Sequence, residues 1–286
     1  MALIDMSDIS PVTEVSRPEP HYIYANEDMQ SYGEMHKLKN GTAVVYVNRL
    51  PGKQTENEDC AGIYALKGND CALAVADGMG GMPCGAQASK LAVEQLQLAL
   101  QDCAPGEFGY REAMLNGIDA ANNAIAALAV GAGSTLAAIE IFDNILRPYH
   151  VGDSMILVVG QRGKVKLQTI SHSPVGYAVE SGMLDEHEAL HHDDRHVISN
   201  YLGHPEMRIE IGSAIGLSRY DTVLVASDGL FDNLKLPEIV AIIRKGKLSK
   251  ISKELVTVCS RRMHNEDPGH PSKPDDMSFI LYRRNG

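Results

Sequence analysis

From Thr42 onward the apolar residues come in short unbroken runs rather than in strict alternation with polar ones. TAVVYVN (42–48), GIYALK (62–67) and CALAVAD (71–77) are separated by Gly, Pro and Asn, a pattern that predicts antiparallel strands. The period then changes. Residues 86–102 place Leu91, Leu98 and several Ala on one face at helical spacing, and residues 110–129 repeat the pattern, which predicts two successive helices. STLAAIEIF, NILRPYHVG, MILVVGQ and KVKLQTI read as four more strands, with turns at Asp143-Asn144, Gly152-Asp153 and Arg162-Gly163.

Residues 175–190 suggest one or two short helices, and 191–212 are irregular and His-rich. DTVLVASDG (221–229) predicts a strand ending in Asp, 236–245 and 249–264 predict helices, and MSFILYR (277–283) a last strand. Strands, a helix pair, strands, then helices and a strand predict an α+β fold in which sheets pack together under helices. Residues 1–40 are polar and Pro-spotted, with no sustained period. They are expected to be an N-terminal extension or edge-covering arm, leaving 41–286 as the folded domain.

Composition narrows the classes. The chain has 286 residues, 44% of them hydrophobic, enough for a substantial core, and a formal net charge of −11. That charge argues against nucleic acid as the main partner, since phosphate backbones need a basic footprint. The N-terminal MALIDMSDISPV lacks the basic-then-apolar pattern of a secretory signal, and no run approaches the roughly 18–20 apolar residues of a membrane helix. The five cysteines are scattered, with no C-x-x-C pair, as expected of free thiols in a reducing cytoplasm. Cys84, beside a glycine-rich loop, is expected to be a small packed residue.

The candidate chemistry lies in carboxylates at strand ends. Asp77 closes CALAVAD and is followed by Gly78-Met79-Gly80-Gly81; Asp228 follows VLVAS and precedes Gly229; Asp275 and Asp276 lead into MSFILYR. Singly, each Asp-Gly reads as a turn. Together, carboxylates converging from separate strands would repel one another unless cations sat between them, and hard oxygen ligands suit Mg²⁺ or Mn²⁺. The tripeptide Asn-Glu-Asp occurs at 26–28, 57–59 and 265–267, and the copy at 57–59 alone sits just before a predicted strand and some twenty residues ahead of Asp77.

The motifs NED (57–59), DGMGG (77–81), GST (133–135), VGDS (151–154), SDGLFD (227–232) and DDMS (275–278) follow in the order and rough spacing of the PP2C-type (PPM family) metal-dependent protein serine/threonine phosphatases. The resemblance covers about Gly41 to Arg284 and is closest to bacterial members. It implies two packed antiparallel β-sheets flanked by helices on both sides. It also implies hydrolysis of phosphoserine and phosphothreonine by water activated between two Mn²⁺ or Mg²⁺ ions roughly 3.5–4 Å apart. Asp77 would bridge the ions, the Gly78 carbonyl would bind one, and Asp228 and Asp275 would complete the other. Glu58 and Asp59 would hold waters of the ions, and Asp153 a third, weaker ion. Asp59, Asp77 and Asp228 are thus the expected catalytic set, and Gly133-Ser134-Thr135 and Ser227 are expected to be structural. The expected partners are phosphoprotein substrates of a cognate serine/threonine kinase, in the cytoplasm, with no nucleic acid and no membrane.

Three positions depart from the family pattern. Gln54 stands where relatives carry a phosphate-contacting Arg, with Lys53 adjacent as a substitute charge; Ser171 precedes His172-Ser173 in place of Asp; Met155 follows VGDS in place of Arg. Lys53 and Gln54 are therefore the candidate phosphate-binding pair, and two alternatives stay open: a pseudophosphatase acting as a binding module, or a hydrolase of small phosphoesters. A zinc site at His187, His191, His192 and His196 is the lesser reading, because adjacent His191 and His192 cannot share a helix face.

Overall fold

The apolar runs become strands because both of their faces are covered. The computed structural model describes residues 11–14, 21–79, 82, 84–185, 188–189 and 192–285. Fourteen strands and six helices are described. The strands are β1 (Thr13–Glu14), β2 (His21–Ala25), β3 (Glu34–Leu38), β4 (Gly41–Asn48), β5 (Asp59–Ala65), β6 (Cys71–Asp77), β7 (Leu136–Phe142), β8 (Ile145–Val151), β9 (Met155–Val159), β10 (Val165–Gln168), β11 (Glu210–Ile211), β12 (Ile215–Gly216), β13 (Thr222–Ala226) and β14 (Met277–Arg284). The helices are α1 (Gly85–Gln101), α2 (Glu107–Ala126), α3 (Pro174–Glu180), α4 (Asp228–Phe231), α5 (Leu236–Ile243) and α6 (Leu248–Met263).

One sheet runs β1-β3-β4-β14-β13-β9-β10 and the other β11-β8-β7-β6-β5-β2, with β12 also on β8. All pairs are antiparallel except the short β1–β3 contact. Alternate residues of each strand serve different layers, as the two-residue period requires. In β6, Leu73 and Val75 point into the space between the sheets and meet Val45, Val223, Val225 and Ile280. Ala72, Ala74 and Ala76 point outward under α1 and α2, against Ala88, Ala92, Leu96 and Met114. On the other side Val44, Leu224 and Leu281 pack against Ile239, Ile251 and Leu255 of α5 and α6. The result is the expected α+β sandwich: helices, sheet, sheet, helices.

Four expectations shift. Helix α1 buries Ala88, Ala92, Val93, Leu96 and Leu100, whereas Leu98 is 60% exposed; the small side chains make the face that approaches the alanine side of the sheet. Strand β5 begins at Asp59 itself, so that residue is part of the ladder and not ahead of it. Strand β13 ends at Ala226 and Asp228 opens α4, with glycine required at 229 because a Cβ there would lie 2.0 Å from the Asp276 carbonyl. Residues 21–38, expected in the extension, belong to the sheets: β2 pairs with β5, and β3 with β4. Their apolar residues are too few and too interspersed with polar ones to announce this, yet Tyr24 and Tyr32 are buried and the Tyr24 hydroxyl lies 2.6 Å from Nε2 of buried His36.

Candidate active site

Antiparallel register brings the first two carboxylates together. Asp59 and Asp77 are direct partners in the β5–β6 pair, so their side chains leave the same face of the sheet. Asp153 lies in the turn after β8, Asp228 at the start of α4, and Asp275 just before β14. Asp77, Asp153, Asp228 and Asp275, with Glu58, Gly78 and Asp276, line one cavity of about 420 Å³ at the end of the sandwich; Asp59 lies buried against the cluster. A second cavity of about 370 Å³ shares Asp153 and Asp228 with it and is lined by Met155, Val175, Val179 and Phe231, among others.

Each acid is held by its backbone. The Asp77 carbonyl accepts the Thr135 N–H at 2.8 Å and the Ser134 hydroxyl at 3.0 Å, while the Asp77 N–H donates to Thr135 Oγ1 at 3.1 Å. The GST segment thus fixes the backbone of the central carboxylate. Gly78 donates its N–H to the Glu58 carbonyl, and a Cβ there would lie 2.1 Å from the Gly85 carbonyl, so this approach requires glycine. Ser227 donates its hydroxyl to Asp59 Oδ2 at 2.8 Å and accepts the Ser278 N–H at 3.0 Å, tying Asp59 to the other sheet. The first Asn-Glu-Asp copy supports the second: Asn26 Oδ1 accepts the Asn57 N–H, and the Glu27 carbonyl accepts from Asn57 Nδ2 at 2.7 Å.

The electrostatics show where charge is missing. Burial, then the neighbouring Asp276 and Asp275, raise the Asp59 pKa well above the carboxylate range. Burial, then Asp59, Asp228, Asp275 and Asp153, do the same for Asp77. Asp153 is pushed up to about 8 by burial, then Asp228 and Asp232; Asp275 rises to about 7 through burial and then Asp228. Two lysines neutralise the flanks. Lys53 Nζ lies 2.7 Å from Glu58 and 2.6 Å from Asp276, and Lys273 Nζ pairs with Asp228, Asp232 and Asp275. Between them, Oδ1 of Asp59, of Asp153 and of Asp228 are buried with no hydrogen-bond partner. Orphaned buried oxygens on neighbouring carboxylates call for cations, and an all-oxygen donor set fits Mn²⁺ or Mg²⁺.

The candidate phosphate-binding pair, Lys53 and Gln54, sits in the segment before β5. Gln54 is exposed and donates to the Gly52 carbonyl, and the Lys53 ammonium is committed to Glu58 and Asp276. Asp276 also accepts the N–H groups of Leu50 and Glu58, so Lys53 and Asp276 together anchor the segment before β5. Among the zinc candidates, His187 and His191 lie outside the described residues, as does the His196 side chain, while His192 Nδ1 accepts the Asp194 N–H. Cys84 is exposed at the N-terminus of α1 rather than packed.

Among the described residues, His150, His172 and Glu210 are the group whose donor atoms all lie within 4.8 Å of one another, and it gathers outside the acidic cavity. His172 Nδ1 accepts the Gly152 N–H and faces Asn200 Nδ2 at 2.8 Å, so the neutral ring carries its proton on Nε2, which points at Glu210. That tautomer leaves no His172 lone pair for a metal and makes the ring a clamp on the Asp153 turn.

Comparison with known proteins agrees with this geometry. Residues 52–265 match the family model described as protein phosphatase 2C. Protein phosphatase PhpP of Streptococcus pneumoniae is 32% identical over 199 residues, 67% of this chain and 80% of that one. Serine/threonine phosphatase Stp1 from Staphylococcus aureus superposes with a TM-score of 0.74 at 27% identity, covering 88% of this chain and 99% of the other. The catalytic domain of the phosphatase PstP, solved in complex with 2 manganese ions, gives 0.67 at 25% identity over 85% and 98%. A sandwich with a carboxylate cavity at its end, built on these motifs, has one family assignment: the chain belongs to the protein phosphatase 2C family.

Proposed function

We propose that the acidic cavity is the catalytic centre of a metal-dependent phosphatase acting on phosphoserine and phosphothreonine in proteins. The observation that carries this is the convergence of Asp59, Asp77, Asp153, Asp228 and Asp275 with orphaned buried oxygens on Asp59, Asp153 and Asp228. Asp77, the Gly78 carbonyl, Asp228 and Asp275 would hold two Mn²⁺ or Mg²⁺ ions, with Glu58, Asp59 and Asp153 around them. When bound, such ions lower the pKa of a shared water and neutralise the phosphoryl oxygens.

The chain's own residues orient this site. Ser134 and Thr135 hold the Asp77 backbone, and Ser227 turns Asp59 inward. No cysteine, histidine or serine is among the described residues lining the cavity. The Thr135 hydroxyl is already engaged by the Asp77 N–H and, at 2.6 Å, by Ser154. A water nucleophile fits that inventory better than a covalent phosphoenzyme.

Phosphoproteins made by a cognate serine/threonine kinase are the proposed substrates, and the cytoplasm the proposed location. The free cysteines support the latter, and no described helix is long and apolar enough to cross a membrane. The net charge of −11 supports a partner other than nucleic acid. The test compares phosphoserine, phosphothreonine and phosphotyrosine peptides with small phosphoesters in Mn²⁺. Turnover is expected on the first two. Mn²⁺ binding without turnover of any of them would favour a binding module, and a preference for small esters a metabolic hydrolase.

A further inference from the structure

Lys273 stands apart from the other charges of the cavity. Its ammonium pairs with Asp228, with Asp232 at 2.9 Å and with Asp275 at 3.3 Å, and its side chain is only 19% exposed. Its tether is also built in. The Lys273 N–H donates to Asn233 Oδ1 at 2.9 Å, and its carbonyl accepts from Asn233 Nδ2 at 2.8 Å. Asn233 is fully buried; its Nδ2 also donates to the Gly229 carbonyl, and its own carbonyl accepts from Arg262 at 2.6 Å. A reciprocal amide pair on a buried side chain, backed by a buried arginine, holds the lysine backbone at a fixed distance from the acids.

From this geometry we infer that Lys273 is a resident cation that takes the place of a third divalent ion at the Asp228–Asp232–Asp275 corner, beside the two of the proposed centre. The inference deepens the proposed function and rests on the cavity binding divalent ions. Coulomb's law supplies the reason. An ammonium within hydrogen-bond distance of three carboxylates fills the volume and uses the negative charge that a further Mn²⁺ would need, and the two cations would repel each other at contact distance. Lys273 takes Oδ2 of Asp228, Asp232 and Asp275, whereas the orphaned Oδ1 atoms of Asp59, Asp153 and Asp228 stay open to the two ions of the proposed centre. Lys273 is a positioning residue on this view, acting on the number of ions in the site.

The test counts Mn²⁺ bound per chain by equilibrium dialysis for the intact protein, Lys273→Met and Lys273→Arg. The expected result is two ions in the intact protein, three in Lys273→Met, and two again in Lys273→Arg, where the cation is restored. An unchanged count in Lys273→Met overturns the inference, and an unchanged count with a raised KM assigns the lysine to the substrate phosphate instead. An intact protein that binds no Mn²⁺ would sink the metal-site reading itself, which separates the two failures. Should Lys273→Met not fold, NMR of ¹⁵N-labelled lysine side chains in the Mg²⁺-loaded intact protein decides. A protected Lys273 ammonium signal persisting with Mg²⁺ upholds the inference, and its loss on Mg²⁺ addition overturns it.

Discussion

Asp59 and Asp77 face each other across the β5–β6 ladder, a pairing of carboxylates that destabilises the sheet unless a cation or a proton offsets their charge. This sets an unusual sign for a mutation at the core of the site. Asp77→Asn removes one of the repelling charges, so the metal-free chain should become more heat-stable. The same variant should lose Mn²⁺ binding and at least about 100-fold in kcat, the loss typical when preorganised electrostatics at a reacting centre are removed. Thermal unfolding without metal, calorimetric Mn²⁺ titration and a phosphopeptide assay check the three parts. A destabilised variant with near-normal turnover would contradict the assignment.

The raised carboxyl pKa values predict how metal-free stability varies with pH. Unfolded Asp titrates near about 3.9, whereas folded Asp275 and Asp153 are pushed up to about 7 and about 8. Over that interval the folded chain holds protons that the unfolded chain has released, so stability falls as pH rises. The metal-free Tm should therefore decline from mildly acidic pH to about pH 8, and Mn²⁺ should raise it far more at the upper end. A metal-free Tm that climbs across this window would show that these acids are not held in the arrangement described.

Lys53 offers a choice between substrate binding and structure. Its ammonium bridges Glu58 and the buried Asp276, whose side chain is 4% exposed. Lys53→Met should cost roughly 1–3 kcal/mol, the penalty for leaving the buried Asp276 carboxylate short of a charged hydrogen-bond partner. Chemical denaturation measures this. A variant of unchanged stability but much higher KM would return Lys53 to the phosphate.

Ser227 tests the orientation of Asp59. Ser227→Ala leaves the Ser278 N–H and Asp59 Oδ2 without the hydroxyl that joins them. The loss should be about 1–3 kcal/mol of stability, with Mn²⁺ affinity lowered about 10- to 100-fold, as when an outer partner of a ligand is removed. Ser227→Thr, which keeps the hydroxyl, should recover part of the affinity.

What could be read from the chain was local. Strands β4, β6, β9, β13 and β14 announce themselves because burial on both faces gives each an apolar run, and Asp77, Asp228 and Asp275 are visible at the ends of such runs. What was missed is carried by contacts between distant residues. Lys53 meets Asp276 across 223 positions and Ser227 meets Asp59 across 168, and no window of sequence holds both members of either pair. Lys273 is only two residues from Asp275, but its role depends on Asn233, Asp228 and Asp232 in another part of the chain. Strands β2 and β3 were hidden for a related reason. Their stability comes from β5 and β4 alongside them, and their own residues carry too weak a period to show it.

The assignment of the metal centre is tested most directly by anomalous diffraction from crystals loaded with Mn²⁺. Two strong peaks are expected inside the acidic cavity, bounded by Asp77, the Gly78 carbonyl, Asp153, Asp228 and Asp275, with none at His150, His172 and Glu210. A cavity without manganese, or a peak at the histidine pair in its place, would contradict it.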